Sequence, residues 1–373
     1  MKTTQLKHKI LCVVGTRPEG VKMAPVIRAL KQSTAFDCLV VSTAQHRHML
    51  DQVLGFFEIR PDLDLDVMIP NQSLAGLTAR LLTGMDQVLT EQAPTIVLAQ
   101  GDTTTVMTVA LACFYRRIPF GHVEAGLRTG DLQNPFPEEA NRVLAGRLAR
   151  WHFAPTESSR ENLLREGVPA SDIVVTGNTV IDALLWTVSR PLDIGVPFIE
   201  GKRLVLVTAH RRENFGEPFR RVCLALRMLA ERNPDVQFLY PVHPNPNVKG
   251  PAQEHLAHCP NIVLCEPLNY ASFVAAMKRA YFIISDSGGV QEEAPALGKP
   301  VLVLREETER PEAVQAGVVR LVGCDTEKIV QEAQNLLDNE SAYGAMARGV
   351  SPYGDGRGAE RIVEFLKKRL NGF

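Results

Sequence analysis

The chain lacks two features that would place it in whole classes of protein. No segment approaches the roughly 18 consecutive apolar residues of a membrane-spanning helix, and the early apolar run ILCVVG is too short for a signal peptide. Charge of one sign is also not in excess, since 41 Lys and Arg face 42 Asp and Glu. The sequence therefore predicts a cytoplasmic protein with no membrane partner, and it gives no electrostatic case for nucleic acid as a partner.

Cysteine and glycine spacing excludes further classes. No CxxC pair occurs, and no cysteine stands at metal-ligand spacing with a histidine. We expect reduced, mostly buried thiols at positions 12, 38, 113, 223, 259, 265 and 324. The GxGxxG motif of nicotinamide enzymes is missing after the first predicted strand, because Gly15 and Gly20 do not supply its spacing. No metal and no cofactor are therefore expected.

What the chain does have is an alternation of short β-branched runs with stretches of helical length. Six such runs occur in each half, from KILCVV to DIVVT and from RLVLVTA to VVRLVG, as in βα units around parallel sheets. The pattern predicts two doubly wound, Rossmann-like α/β domains, residues 1–176 and 177–357, with a cleft between them. Residues 191–202 are rich in Pro and Gly and belong to or adjoin the linker. We expect the last helix, 358–373, to pack back on the first domain.

The most informative segment is SDSGGVQEEAPALGKP, residues 285–300. Small residues stand where a strand passes into a helix, namely Ser287, Gly288 and Gly289. Free N–H groups and the helix dipole make such a place suitable for phosphate. An ordinary turn capped by Asp286 or Ser287 is the alternative. Glu292 and Glu293 follow one turn later, and a carboxylate is a good acceptor for ribose hydroxyls, so the segment predicts a nucleotide site.

Polar clusters follow the strands of the first half, at the sheet edge where open α/β sheets bind ligands. Arg17 and Lys22 stand at a helix start, where two cations suit a diphosphate or are simply solvated. Asp102 follows the strand TIVLAQ and has an N-cap as its alternative role, whereas capping explains Glu124 less well.

Two further clusters complete the candidate residues at strand ends. Glu138 and Arg142 share a helix face at spacing i, i+4, for which a surface ion pair is the alternative. In the second half His210 and His243 stand at equivalent strand ends. Arg211 follows His210, and Arg310 lies beside two glutamates. The sequence thus predicts acids in one domain and a nucleotide loop with cations in the other.

The ordered motifs resemble those of bacterial non-hydrolysing UDP-N-acetylglucosamine 2-epimerases. They are GTRPEGVKMAP, AQHRHMLDQVL, GDTTT, HVEAGLRTGD, PEEANR, GNTVIDAL, HRRENFG, PVHPNPNV, DSGGVQEEAPALGKPVLV and ERPEAV, and the similarity covers nearly the whole chain. The resemblance implies a glycosyltransferase-B-like fold and interconversion of UDP-N-acetylglucosamine and UDP-N-acetylmannosamine without a nicotinamide or metal cofactor. It also implies a homodimer and a product that supplies surface polysaccharide.

The resemblance also implies site roles. UDP is eliminated to give 2-acetamidoglucal and is then added back. The proton-transfer groups would belong to Asp102, Glu124 and Glu138, and the resemblance leaves their individual acid, base and positioning roles open. His210 would stabilise or protonate the UDP leaving group. Glu293 would bind the ribose, and the segment around Phe273 the uracil. The residues implied to hold the rest of the substrate are Arg17, Lys22, Arg142, Ser287, Gly288, Gly289 and Arg310.

A second, activating UDP-N-acetylglucosamine site is implied as well. Its residues here would be Gln45, Glu138, Arg211 and His243. The chain departs from the family pattern with His48 and Asn71, where related enzymes often carry Gln and Arg, so activation is expected to be weak.

Three other functions fit parts of this pattern. A hydrolysing epimerase shares the elimination step, and a glycosyltransferase shares the fold and nucleotide site. A silent UDP-sugar sensor is the non-enzyme alternative, which retention of all the acids disfavours.

Overall fold

The structure is a computed structural model that describes residues 7–44 and 47–370. It divides into unit 1, Met1–Leu185 with Tyr353–Phe373, and unit 2, Trp186–Pro352. The sequence predicted boundaries at 176/177 and 357/358 instead. Hydrogen bonds explain the later first boundary: the Asn178 N–H donates to the Tyr353 carbonyl over 2.6 Å, and Asp182 accepts from the Gly358 and Ala359 N–H groups.

Unit 1 contains a parallel sheet of order β3-β2-β1-β4-β5-β6-β7. Its strands are β1 (His8–Val14), β2 (Phe36–Ser42), β3 (Leu63–Asp64), β4 (Ile96–Gln100), β5 (Phe120–Val123), β6 (Trp151–Ala154) and β7 (Ile173–Val175). Every residue of β4, β5 and β6 is buried. Burial along the whole strand is typical of parallel strands covered by helices on both faces.

The helices of unit 1 follow its strands in alternation. They are α1 (Arg17–Gln32), α2 (Arg47–Phe56), α3 (Leu74–Gln92), α4 (Thr104–Arg116), α5 (Glu138–Leu148), α6 (Glu157–Arg165), α7 (Thr179–Val188, which extends into unit 2) and α15 (Gly358–Leu370). The C-terminal helix α15 belongs to this unit, where the ring of Phe365 meets Trp151 and Phe153 edge-on, with centroids 5.5 and 5.7 Å away.

Unit 2 contains a second parallel sheet, of order β10-β9-β8-β11-β12-β13. Its strands are β8 (Arg203–Thr208), β9 (Val236–Pro241), β10 (Ile262–Cys265), β11 (Phe282–Ser285), β12 (Val301–Val303) and β13 (Val319–Leu321). Its helices are α8 (Glu217–Arg232), α9 (Pro246–Leu256), α10 (Tyr270–Arg279), α11 (Gly288–Ala296), α12 (Pro311–Gln315), α13 (Thr326–Asp338) and α14 (Glu340–Met346). One apolar stripe of α8, from Phe219 to Leu229, is buried in the core.

The predicted fold class is confirmed, and the predicted strands are present in both halves. The two-residue strand β3 and the helices α9, α12 and α14 were not predicted. Helix α9 was missed because it contains Pro246 and Pro251, and prolines in a sequence usually indicate a turn. In the structure Pro246 occupies the first helical position, where the missing N–H costs little. Within the described residues, no helix combines the length and apolarity needed to cross a membrane.

Two histidines are enclosed side by side in the sheet of unit 1. His122 on β5 is paired with His152 on β6, and each is at most 2% exposed. His122 Nε2 donates to the Gly101 carbonyl over 2.7 Å. Burial, above the other causes, lowers the pKa of His122 from 6.5 to about 3 and that of His152 to about 4. Both rings are therefore neutral in the folded protein at physiological pH.

This burial predicts acid-sensitive folding. Below pH 6.5 these two histidines bind protons in the unfolded chain but stay neutral in the folded protein. The free energy of unfolding therefore falls as pH falls, until the folded pKa values of about 3 and about 4 are reached. Each histidine should lower the free energy of unfolding at pH 5 by about 2 kcal/mol relative to pH 7.5. Urea unfolding followed at both values of pH measures the loss, and His152→Gln should remove about half of it. An unchanged pH dependence in that variant would contradict the assignment.

Candidate functional site

The sheet of unit 2 reverses its strand order between β8 and β11, which is where doubly wound sheets bind ligands. At the carboxyl ends of these strands the hydroxyls of Thr208 and Ser285 lie 2.6 Å apart. Beyond them the chain continues into His210 on one side and into Ser287 and α11 on the other. The topology therefore brings the two predicted clusters of unit 2 to one place.

Asp286 holds these two segments together. Its side chain is completely buried, and its Oδ2 accepts from the backbone N–H groups of His210 and Arg211, each over 2.8 Å, and from Asn214 Nδ2 over 3.3 Å. Asp286 is thus not the N-cap considered from the sequence. The N-cap is Ser287, whose side chain makes no capping hydrogen bond. The first turn of α11 consequently keeps N–H groups without a side-chain acceptor, which suits an anion.

The Arg310 side chain lies directly over the start of α11. A Cβ atom at Gly288 would come within 2.6 Å of the Arg310 guanidinium, so a larger residue there would have to displace the end of that side chain. Arg310 Nε donates to Glu292 over 2.7 Å, and the Glu292 side chain is 4% exposed. Glu292 therefore orients a cation toward the open helix start.

Glu293 and Phe273 belong to neighbouring parts of the same unit. The Glu293 carboxylate is buried and accepts from the Tyr270 hydroxyl over 3.2 Å. Tyr270 begins helix α10, which carries the half-buried Phe273 one turn later. The structure thus links the predicted ribose acid to the helix predicted to hold the base.

His210 and His243 stack on each other, with ring centroids 5.6 Å apart and planes inclined by 14°. His210 is 43% exposed, and its Nδ1 lies 3.5 Å from Asp286 Oδ1. Burial and the neighbouring His210 lower the pKa of His243. The stack leaves His210 accessible at the strand end while Asp286 fixes its backbone.

In unit 1 the buried carboxylate of Glu124 collects polar groups from three elements. Lys22 Nζ on α1 lies 2.5 Å from Oε1, Asn178 Nδ2 donates to the same oxygen over 2.9 Å, and Gln100 at the end of β4 donates to Oε2. The backbone of Glu124 has φ +61°, in the left-handed region that residues other than Gly, Asn and Asp seldom adopt. Strain of this kind is concentrated at functional sites.

Asp102 is paired with Arg142 rather than capping a helix. Arg142 Nη2 lies 2.8 Å from Asp102 Oδ2, and the N-cap of α4 is Thr103, whose side chain accepts from the Val106 N–H. Arg142 also approaches Glu139, at 3.4 Å, so the surface pair with Glu138 considered from the spacing is not formed. Among the described residues, half-buried Glu138 has no hydrogen-bond or ion-pair partner.

Glu19 was missed as a site residue. It is buried, accepts from the Gly15 and Thr16 N–H groups over 2.5 and 3.0 Å, and accepts from the Thr103 hydroxyl over 2.5 Å. Burial raises its pKa to about 7. The spacing Thr16-x-x-Glu19 is a capping box and could have revealed it. Gln100 and Asn178 could not be identified from the sequence, because no motif or charge distinguishes these amides from other polar residues.

The remaining predicted residues are placed as follows. Arg17 is the first residue of α1 and is half-buried. Arg211 follows His210 and is half-buried, while Gly289 lies in the first turn of α11. Gln45 lies outside the described residues. Over the described ranges, no group of three or more His, Cys, Asp or Glu side chains has the arrangement of a metal site.

Two doubly wound units, one with an open helix start followed by an acid, are the architecture of enzymes with a glycosyltransferase-B-like fold. A family model described as UDP-N-acetylglucosamine 2-epimerase matches residues 28–367. The chain is 55% identical to the UDP-N-acetylglucosamine 2-epimerase of Yersinia pestis over 369 residues, and the match covers 96% of this chain and 98% of that one.

Solved structures agree with this match. The Neisseria meningitidis UDP-GlcNAc 2-epimerase, crystallised with UDP-GlcNAc, has a TM-score of 0.89 at 48% identity, covering 96% of this chain and 100% of that chain. A Listeria monocytogenes protein described as a putative UDP-N-acetylglucosamine 2-epimerase has a TM-score of 0.92 at 45% identity, covering 99% and 98%. The chain belongs to the UDP-N-acetylglucosamine 2-epimerase family, a family of isomerases, and the resemblance found in the sequence is confirmed.

The contact between Gly288 and Arg310 predicts unequal effects of two neighbouring glycine substitutions. Gly288→Ala should displace the flexible Arg310 end, break its pair with buried Glu292 and lower the free energy of unfolding by about 1–3 kcal/mol. Gly289→Ala is the matched control, because its Cβ would meet nothing closer than 3.7 Å and should be neutral or stabilising by about 0.4–1 kcal/mol. Urea unfolding midpoints measure both. Equal midpoints would contradict the role given to Arg310.

Proposed function

We propose that this protein interconverts UDP-N-acetylglucosamine and UDP-N-acetylmannosamine by inverting carbon 2 of the sugar, without net hydrolysis. The observation that carries the proposal is family membership over residues 28–367, a range that includes both the nucleotide loop of unit 2 and the acids of unit 1. The Neisseria relative crystallised with UDP-GlcNAc supports the same substrate here.

Unit 2 is the proposed holder of UDP. The open N–H groups of α11, from Ser287 to Gly289, bind the diphosphate, and Arg310 adds a charge that Glu292 keeps in place. Glu293, oriented by Tyr270, accepts from the ribose hydroxyls, and Phe273 on the same helix as Tyr270 lies against the uracil. Arg17 and Lys22 of unit 1 are proposed as further diphosphate and substrate contacts.

Unit 1 is the proposed source of the proton-transfer groups. The reaction removes the proton from carbon 2 and breaks the bond between carbon 1 and the UDP oxygen, which leaves 2-acetamidoglucal and UDP. Re-addition forms the carbon–oxygen bond again and places a proton on the opposite face of carbon 2. Two faces require two proton-transfer groups, and these two belong to the set Asp102, Glu124 and Glu138, in which the third acid positions the sugar. His210, accessible at the end of β8, stabilises or protonates the leaving phosphate oxygen.

The three acids are held differently, and this difference supports distinct roles. Lys22, Gln100 and Asn178 fix the Glu124 carboxylate, and Arg142 fixes that of Asp102. Glu138 lies at the start of α5 with no such partner in the described part of the chain. A fixed carboxylate is suited to one defined proton position, whereas an unfixed one can follow the sugar as it changes.

Proton NMR in deuterium oxide tests the proposed function. Protein incubated with UDP-N-acetylglucosamine should produce UDP-N-acetylmannosamine with deuterium at carbon 2, because the re-added proton comes from solvent-exchanged groups. Free N-acetylmannosamine together with UDP would identify a hydrolysing epimerase instead. Intact substrate with its carbon 2 proton retained would support a glycosyltransferase or a silent sensor.

Amide substitutions test the acids. Asp102→Asn, Glu124→Gln and Glu138→Gln should each lower turnover by about 10²- to 10⁴-fold, the usual contribution of a positioned acid or base, while UDP affinity is retained. Glu161→Gln, an exposed acid on α6, is the control and should keep full turnover. Turnover and UDP titration are measured on the same preparations. A Glu124→Gln protein with near-normal turnover would remove Glu124 from the mechanism.

An activating second substrate site is part of the proposal, and the residues that would contribute to it are Gln45, Glu138, Arg211 and His243. It would make the reverse reaction slow until UDP-N-acetylglucosamine is added, and a full reverse rate in its strict absence would contradict it. The cytoplasmic location, the homodimer and the supply of surface polysaccharide are likewise proposed. Light scattering on the purified chain tests the dimer.

A further inference from the structure

A second basic site lies at the opposite edge of the unit 2 sheet. Here a cavity of about 340 Å³ is lined by four cationic side chains and two tyrosines, namely Lys202, Arg203, Arg279, Lys299, Tyr281 and Tyr343. We refer to these six residues as the amino-edge pocket. Its volume is within the range of small-molecule sites.

The pocket is separate from the nucleotide loop because of strand direction. Arg203 begins β8, Tyr281 immediately precedes β11, and Lys299 stands two residues before β12. The nucleotide loop follows the other ends of β8 and β11. The six residues of β8 alone separate the two edges by about 16 Å, since a strand rises about 3.3 Å per residue. One diphosphate cannot occupy both places.

The charges in the pocket are poorly compensated. Arg203 Nη2 lies 3.1 Å from Asp235, and its Nη1 donates to the Leu337 carbonyl over 2.7 Å. Lys202 donates to the Pro234 carbonyl over 2.8 Å. Across the described ranges Asp235 is the only carboxylate paired with any of the four cations.

Two of the cations keep donors available. Arg279 stacks on Phe198, with its guanidinium carbon 4.6 Å from the ring centroid, and this guanidinium makes no hydrogen bond in the described part of the molecule. Lys299 is half-buried, and its ammonium group has no hydrogen-bond or ion-pair partner among the described residues. Burial and the charge of Arg279 lower the pKa of Lys299. A desolvated cation held beside another cation destabilises the fold unless an anion joins them.

An aromatic wall gives the pocket a fixed shape. The rings of Tyr281 and Tyr343 are parallel, with centroids 4.0 Å apart, and the Arg203 guanidinium lies 5.5 Å from the Tyr281 ring. Stacked rings hold one side of the cavity and position Arg203. A solvated patch of surface lysines would lack both this concave shape and the aromatic wall.

We propose that the amino-edge pocket binds a compact phosphorylated small molecule with at least two negative charges, which Lys299 and Arg279 contact together. The ligand is distinct from the UDP moiety of the substrate. Arginine and lysine side chains with free donors are the usual partners of phosphate oxygens, and three uncompensated positive charges match a dianion or trianion.

Calorimetric titration with inorganic pyrophosphate in the presence of saturating UDP tests this site. UDP fills the nucleotide loop, so pyrophosphate should bind once per chain at the pocket. Lys299→Gln should weaken this binding by roughly tenfold to a hundredfold, the effect of losing one charge-assisted contact, and leave the UDP affinity unchanged. Lys328→Gln removes an exposed lysine of α13 and is the matched control, with no expected effect.

Each other outcome overturns the proposal. These outcomes are no pyrophosphate binding in the presence of UDP, equal binding by Lys299→Gln and the unaltered protein, or a parallel loss of UDP affinity. Thermal unfolding checks that the variant folds, and its melting temperature should not fall, because an unpaired half-buried cation has been removed. If Lys299→Gln does not fold, exposed Arg279→Gln replaces it with the same expected weakening. Failure of UDP to bind at all would count against the proposed epimerase function, and the comparison between the lysine variants would still decide the pocket.

Discussion

The organisation of unit 1 depends on satisfying one buried carboxylate. Glu124 follows β5 directly, and a charged group removed from water at this point requires partners that the sheet itself does not supply. Lys22, Gln100 and Asn178 come from three separate parts of the chain to provide them. Asn178 in turn donates its backbone N–H to the segment that precedes the C-terminal helix. The same set of contacts that places an acid at a strand end therefore also connects the return of the chain to its first domain.

Unit 2 solves the equivalent problem with backbone donors. Asp286 stands after β11 as Glu124 stands after β5, but its main partners are the N–H groups of His210 and Arg211. Backbone donors fix a loop path and leave side chains free, so His210 and the start of α11 remain available to a ligand. In unit 1 the side-chain donors fix the carboxylate itself, which is what a proton-transfer group requires. In both units an acid follows the carboxyl end of a parallel strand. In unit 2 this acid, Asp286, holds the loops in place, whereas in unit 1 Glu124 is a candidate catalytic acid.

The sequence predicted the strands and the carboxyl-edge clusters well, because both follow from the period of apolar runs and from the topology of parallel sheets. It did not predict which side chains pair. Arg142 reaches Asp102 across the chain instead of Glu138 four residues earlier, since local spacing shows only which neighbours are possible. Glu19 was visible as a capping box, but its contact with Thr103 joins the turns after β1 and β4 and needs the sheet order. The position of Asn178 likewise depends on the fold.

Both units place unfavourable features at their sheet edges, and the cores allow them to persist. A non-glycine residue at positive φ costs about 1–3 kcal/mol, and Glu124 is such a residue at φ +61°. Changing Glu124 to glycine would relieve the backbone strain but would remove the ion pair with Lys22. The strained backbone and the ion pair therefore depend on the same residue. Strand β5, which leads into this turn, and its neighbour β6 are buried along their length and resist the displacement that would relax it. The acid is held in position because the sheet beneath it cannot move, which places the determinants of site geometry in the core as much as among the polar residues.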